Sequence, residues 1–497
     1  MYIYVIIIRN VLNLCAVVYI STAEDIFIMF TKDKSFYKSF FTLLSMLALQ
    51  NMIVLSVNLL DNIMIGSYSE IALSGVTAVN QIQFVFQQIL MGAGDALVVM
   101  GSQYWGQQRT EPIKKLANGG LILGCGFGIL LFTAASLFPD TLVSIFTDNA
   151  DYIEKGTEYI NIIRFTYIIF PISSILLSSL RSVETVKIAF YSSIVSLIVN
   201  GSINYTLING NFGFPELGVT GAAIGTLTAR IIELIIVVTY VLLCDKKLKM
   251  KLRDFYAVDK KLVIDYLKTS VAFVTVAALF GLSTALQTVI LGHMDIGAEA
   301  LGEAAGSVIA ANSISSTLYM MLKVAAIGAA SAASIIIGKT IGQNNIPKVK
   351  EYAKTLQFIF IGIGLLTSIT LFLLKTPILG LYDISQATRD YAESFIHVLC
   401  ITCIGTSYQM PVLVGIVRGG GDSRFVLIND LISIWGIVLP VSFLAAFVFN
   451  WPPVAVVFCL NADQIFKCGA AAIKVNKYNW IKKLTRAQTE SENTATA

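Results

Sequence analysis

Charge is scarce in this chain. Only 13% of its 497 residues are Asp, Glu, Lys or Arg, about half the share of a soluble domain. Such a composition excludes disorder and an ordinary cytosolic enzyme. Histidine is scarcer still. His293 and His397 are the only two, and neither has the clustered partners of a zinc site, so no catalytic metal is expected. The seven cysteines are scattered through apolar runs. Cys400 and Cys403 form a C-x-x-C, but inside the run 396–404 rather than at the strand-to-helix junction that a redox motif uses. They read as small apolar residues on a buried helix. The net charge of +4 is too small, for so long a chain, to suggest a nucleic-acid partner.

Cofactor motifs are also lacking. Gly338-Lys339-Thr340 imitates the end of a P-loop, but the glycine required five positions earlier is Ala333. Gly124-x-Gly126-x-Gly128 falls within an apolar run, where glycine permits close helix packing. No cofactor and no enzyme activity are expected.

What is present is apolar sequence, at 56% hydrophobic residues. A membrane-spanning helix needs about 20 apolar residues, and twelve such runs can be placed. They lie at 37–59, 71–100, 116–137, 156–179, 188–209, 218–243, 264–291, 306–337, 354–374, 391–416, 425–449 and 452–472. The expected fold is therefore an all-α polytopic membrane protein. Residues 1–20 carry a further apolar stretch. We read Met29 as the natural start and 1–29 as an N-terminal extension. From Met29 a short basic leader precedes the first span.

Basic residues sort by loop. Lys32, Lys34 and Lys38 precede the first span. Alternate loops then carry Arg109, Lys114 and Lys115; Arg181 and Lys187; a long basic stretch from Lys246 to Lys261; and Lys339, Lys348 and Lys350. The chain ends with Lys482, Lys483 and Arg486. The intervening loops have few or none; Lys375 and Arg389 form the weak member. Basic loops face the cytoplasm, which places both termini inside a multi-pass cell membrane protein.

The long basic stretch lies mid-chain, which suggests two halves. Sliding the sequence by 236 positions sets Trp105-Gly106-Gln107 on Ile341-Gly342-Gln343, and sliding by 237 sets Leu180-Arg181 on Val417-Arg418. Two lobes of six helices are expected, 30–245 and 246–475, followed by a polar cytoplasmic tail at 476–497. An even number of helices per repeat gives parallel halves related by an axis along the membrane normal, a transporter architecture.

Few polar residues fall inside the spans. Asp61 lies at or inside the outer end of the first. A charge at the bilayer centre costs about 2.5–3.5 kcal/mol, so a carboxylate there is protonated or paired with a cation. Either state makes it a coupling site; the alternative is a loop carboxylate in water. Asn200 and Asn204 share one face of the fifth helix and could help hold a cation or bond between helices. Asp95, with Gln287 and Tyr408, is a candidate cavity residue, or else a polar contact between helices. Arg230 and Glu233 are spaced to pair with each other. The turn Arg418-Gly-Gly-Gly-Asp422-Ser-Arg424 reads mainly as a topology-fixing loop.

Several segments resemble the MATE (multidrug and toxic compound extrusion) transporter family of bacteria. They are Val57-Asn-Leu-Leu-Asp61-Asn-Ile-Met-Ile-Gly66, Ser102-Gln103-Tyr-Trp-Gly106, Leu180-Arg181-Ser, Gly218-Val-Thr-Gly221, Ser334-Ile-Ile-Ile-Gly338-Lys-Thr-Ile-Gly342 and Val417-Arg418-Gly-Gly-Gly-Asp422-Ser. The resemblance implies a monomeric antiporter in the lipid bilayer that expels drugs or organic cations against inward H+ or Na+. It makes Asp61 the coupling carboxylate, with Asn200, Asn204 and Thr226 completing the cation pocket and Na+ a candidate ligand at Asp61, Asn200 and Asn204. Asn204 stands where the family has an aspartate, so the pocket has one charge fewer. A second-lobe site with acids in helices seven and ten looks absent, the latter position being about Ser407. About ten extra residues at 294–306 lengthen an outer loop. The rival readings are a lipid-linked oligosaccharide flippase of the same superfamily, which would want a strongly basic cavity, and a membrane-embedded enzyme.

Overall fold

The computed structural model describes residues 30–256, 259–300, 308–380 and 385–486. The extension 1–29 and residues 301–307 of the lengthened loop lie outside the described residues. Among those described there are helices and turns and no strand. Eleven helices are long and apolar enough to cross a membrane, and a bent pair makes a twelfth span. We label them α1 (Lys34–Tyr68), α2 (Glu70–Gly106), α3 (Glu111–Leu137), α4 (Ala150–Ile163 with Thr166–Ser182), α5 (Lys187–Leu207), α6 (Gly218–Cys244), α7 (Lys260–Ala300), α8 (Val308–Gly342), α9 (Ile346–Leu379), α10 (Gln386–Arg418), α11 (Ser423–Phe447) and α12 (Pro453–Asn476). The two parts of α4 meet at 53°.

Span boundaries shift in informative ways. The first loop was expected at 60–70, but α1 runs on through Asp61 to Tyr68. A single polar residue on one face does not end a helix whose other faces stay apolar, and Ile63-Met64-Ile65 continues the run. Ser69 alone separates α1 from α2. Its N–H bonds the Ile65 carbonyl, and its hydroxyl accepts from Ala72 N–H at 3.3 Å, so one residue satisfies orphan groups of both helices. Beyond the expected end at 291, α7 continues to Ala300, so part of the lengthened loop is helix.

Burial separates inner from outer helices. In α2, α8 and α10 the most apolar stretch is 61–72% buried, against 22% in α3 and α6. The outer helices turn side chains such as Ile129, Leu130, Ile235 and Leu366 outward, as a lipid-facing surface requires. The inner helices join the halves: α2 packs on α7 and α8, and α1 packs on α8.

Repeat-related residues meet at that junction. A Cβ on Gly338 would collide with the hydroxyl of Ser102, one on Gly342 with the Gln103 carbonyl, and one on Gly106 with the Lys339 carbonyl. Ser102 and Gly338 correspond under the 236-residue offset, as do Gln103 and Lys339, and Gly106 and Gly342. The pseudo-twofold axis therefore runs through this crossing of α2 and α8, where only glycine lets the backbones touch.

Three spans contain π-helical turns, at Tyr240–Cys244, Pro411–Arg418 and Leu431–Val438. Such widened turns often sit at functional sites, and two of them lie in the second half.

Candidate functional site

The sequence-derived residues Asp61, Asn200, Asn204 and Thr226 come together. Asp61 is half-buried on α1. Asn200 and Asn204, 1% and 0% exposed, face it from α5. The Asn204 amide donates to Asp61 Oδ1 at 2.5 Å, and the Asn200 amide donates to Thr226 Oγ1 on α6 at 3.3 Å. Asn200 also hydrogen-bonds Asp61, and the charge of Arg230 acts on the same carboxylate. The helical spacing of i and i+4 puts both amides on one face. Gly225 makes room: a Cβ there would collide with the Asn204 side-chain oxygen.

The carbonyl oxygens of Asn200 and Asn204 are buried and accept no hydrogen bond. Buried polar atoms without partners are rare and call for an explanation. Two such oxygens beside a carboxylate and a threonine hydroxyl form a set of hard oxygen donors, which suits H+ on the carboxylate or Na+ among the oxygens.

Sequence reasoning missed Tyr159 on α4, fully packed and hydrogen-bonded to Thr226. Its position in the segment with the most negative outer charge hid it. Next to Thr226 lies a cavity of about 20 Å³, lined in part by Gln83, Gln87, Thr166, Tyr167 and Arg230. That is room for about one water. Arg230 pairs with Glu233 at 2.7 Å, as the spacing predicts, and lies 4.4 Å above the Phe170 ring.

Asp95 belongs to a different place. Arg418 of α10 reaches it at 2.6 Å and Arg181 of α4 lies at 3.8 Å, so it is a polar contact between the halves. Thus the turn at Arg418–Arg424 does more than fix topology. Asp422 pairs with Lys474 at 2.7 Å and Lys482 at 2.8 Å. Gln287 sits half-buried on α7, and Tyr408 donates to Gln357 at 2.9 Å inside the second half. Neither lies among the residues lining the small cavity.

The end carrying the basic loops is closed by ties between the halves. Besides Asp95–Arg418, Glu184 pairs with Lys339 at 2.7 Å. Asp33 accepts from Tyr352 at 2.7 Å. The region expected to be a polar tail is packed through Arg486. Trp480 is fully buried, Gln103 bonds both Lys482 and Leu484, Gln107 donates to Thr485 at 2.6 Å, and Arg486 reaches Asp265. Residues 487–497 lie outside the described residues.

A buried polar chain in the second half also went unread. Tyr319, Thr406, Gln464 and Asp463 are hydrogen-bonded in series, and Lys467 links Asp463 at 3.0 Å to Asp430 at 2.8 Å. The signal was available, since Asp463 and Lys467 are an i, i+4 pair inside the last apolar run.

Comparison with known proteins agrees with this architecture. The MatE family model matches residues 47–206 and 300–444. A probable multidrug resistance protein NorM of Thermotoga maritima is 26% identical over 448 residues, covering 88% of this chain and 92% of that protein. Another of the same name, from Listeria innocua, is 25% identical over 408 residues, covering 82% and 87%. Among solved structures, a MATE protein crystallised with MaL6 superposes with a TM-score of 0.78 at 17% identity, covering 88% of this chain and 96% of that one.

Proposed function

The chain belongs to the MatE family, and on that footing we propose that it is a secondary active antiporter that exports drugs or organic cations in exchange for inward H+ or Na+. The carrying observation is the Asp61 carboxylate, set inside a span and faced by two buried amides whose carbonyl oxygens have no partner. A cation arriving there neutralises a charge that hydrocarbon disfavours. Its departure restores the charge, and the two states differ enough to bias a rocking motion of the halves.

In this reading the basic loops face the cytoplasm. Both termini are inside, the lobes are 30–245 and 246–475, and the chain works as a monomer in the cell membrane. The ties between the halves then close the cytoplasmic side, so this conformation opens outward. Moving one extra charge inward across 100 mV supplies about 2.3 kcal/mol, or roughly 50-fold accumulation of a neutral substrate.

The deciding measurement is ethidium transport in everted vesicles, with Asp61→Asn beside the wild type. Loss of transport is expected, and undiminished transport sinks the proposal. Adding Na+ or a protonophore to the wild type separates the two coupling ions.

A further inference from the structure

Most cations set within the spans have an acid beside them. Arg181 and Arg418 share Asp95, Arg230 has Glu233, Lys339 has Glu184, Lys375 has Glu393, and Lys467 has two aspartates. Lys323 differs. It lies well inside α8, and among the described residues no carboxylate stands within ion-pair distance of it. Its ammonium instead sits over two rings, 5.5 Å from the centroid of Phe280 on α7 and 5.8 Å from that of Tyr319. The acid whose field reaches it, Asp463, is already held by Lys467 at 3.0 Å.

Its neighbourhood borders the junction of the halves. Gly281, next to Phe280, faces Phe84 of α2; a Cβ there would lie 3.7 Å from that ring. Phe84 in turn is flanked by Gln83 and Gln87, which line the cavity beside Thr226. An ammonium covered by aromatic faces and lacking an acid is a receptor for an anion borne on an aromatic body. The rings hold the body, and the charge holds the carboxylate.

We infer that Lys323 is a specificity-determining residue that binds a substrate carboxylate, so that this exporter selects zwitterionic aromatic compounds over plain cations. The inference rests on the exporter reading above and names its substrate class.

The test compares norfloxacin, a zwitterion at neutral pH, with its methyl ester, which lacks the carboxylate. The wild type is expected to export both and to prefer norfloxacin. Lys323→Gln should lower kcat/KM for norfloxacin at least tenfold while leaving the ester within twofold, and Lys323→Arg should keep the preference. Salicylate should inhibit norfloxacin export by the wild type more strongly than ester export, a readout that needs no variant. Equal loss of both compounds in Lys323→Gln, no loss of either, or failure of salicylate to discriminate overturns the inference alone. Export of neither compound or of ethidium by the wild type overturns the exporter reading and takes this inference with it.

Discussion

Gly106 and Gly342 meet where α2 crosses α8: a Cβ on Gly106 would stand 3.0 Å from the Gly342 Cα. The two residues correspond under the internal repeat, so one contact serves both halves. Any side chain here must push the helices apart, and overpacking of this kind costs about 1–3 kcal/mol. Gly106→Val is therefore expected to favour the conformation open at the basic end by roughly 5- to 140-fold, at about 1.4 kcal/mol per tenfold. Maleimide labelling of a cysteine placed at Thr110 reads this directly. Labelling as slow as in the Thr110→Cys parent would show that the crossing does not limit opening.

Asp95 and Arg418 form the most direct ionic tie between the halves, at 2.6 Å with side chains 22% and 9% exposed. Removing one partner leaves a poorly solvated charge, which costs about 3–5 kcal/mol for a buried pair. Asp95 keeps Arg181 at 3.8 Å, so Arg418→Gln should be the milder change. Asp95→Asn leaves two arginines facing each other and should be the harsher one. The double variant should recover part of the loss. Transport rates and thermal unfolding of the four proteins make a double-mutant cycle, and strict additivity would mean that the pair is not energetically coupled.

The helices, their number and the polar group of Asp61 with Asn200 and Asn204 were readable because each rests on a local signal. Apolar runs are long enough to span, Asp61 interrupts one of them, and Asn200 and Asn204 recur at helical spacing. The ties between the halves were not readable. Asp95 and Arg418 are 323 positions apart, and nothing local marks them as partners. A basic tail also reads as solvated until Gln103 and Asp422 are seen to receive it. The second-half chain from Tyr319 to Asp430 was hidden only in part, since Asp463 and Lys467 are an i, i+4 pair inside an apolar run. Its other members are ordinary polar residues one by one, and only packing of α8, α10, α11 and α12 puts them in series.

Asp422 holds the segment after α12 to the second half over a wide pH range. Burial raises its carboxyl, but hydrogen bonds and charge from Lys474 and Lys482 outweigh this and keep it below the ordinary value. Asp33, bonded to Tyr352, is likewise lowered. A depressed carboxylate contributes stability above its unfolded pKa of about 3.9, and that contribution is lost as pH falls through the lower folded value. Both sets of contacts thus stay intact from pH 8 down to about 4. Asp422→Asn should lower transport without changing the shape of the profile between pH 5.5 and 8. A changed shape would place a titrating step of transport at the closed end rather than at the Asp61 site.

The segment after α12 acts as a strap between the halves. Trp480 anchors it in the second half, with no exposed surface and an indole N–H donating to the Val475 carbonyl at 2.8 Å. Beyond it, Gln103, Gln107 and Tyr104 of α2 hold Leu484, Thr485 and Arg486. These contacts bridge the halves only while the basic end is closed, so losing them should favour opening. Trp480→Ala removes the anchor itself, at about 3–5 kcal/mol for a buried aromatic, and should lower both stability and closure. Gln107→Ala spares the anchor and deletes one bond on the far side. It should leave thermal stability within about 0.5 kcal/mol, as for an ordinary surface change, yet speed labelling of a cysteine introduced at Thr110. If Gln107→Ala leaves labelling unchanged while Trp480→Ala lowers stability, the segment is a packed end of the second half and not a tie between the two.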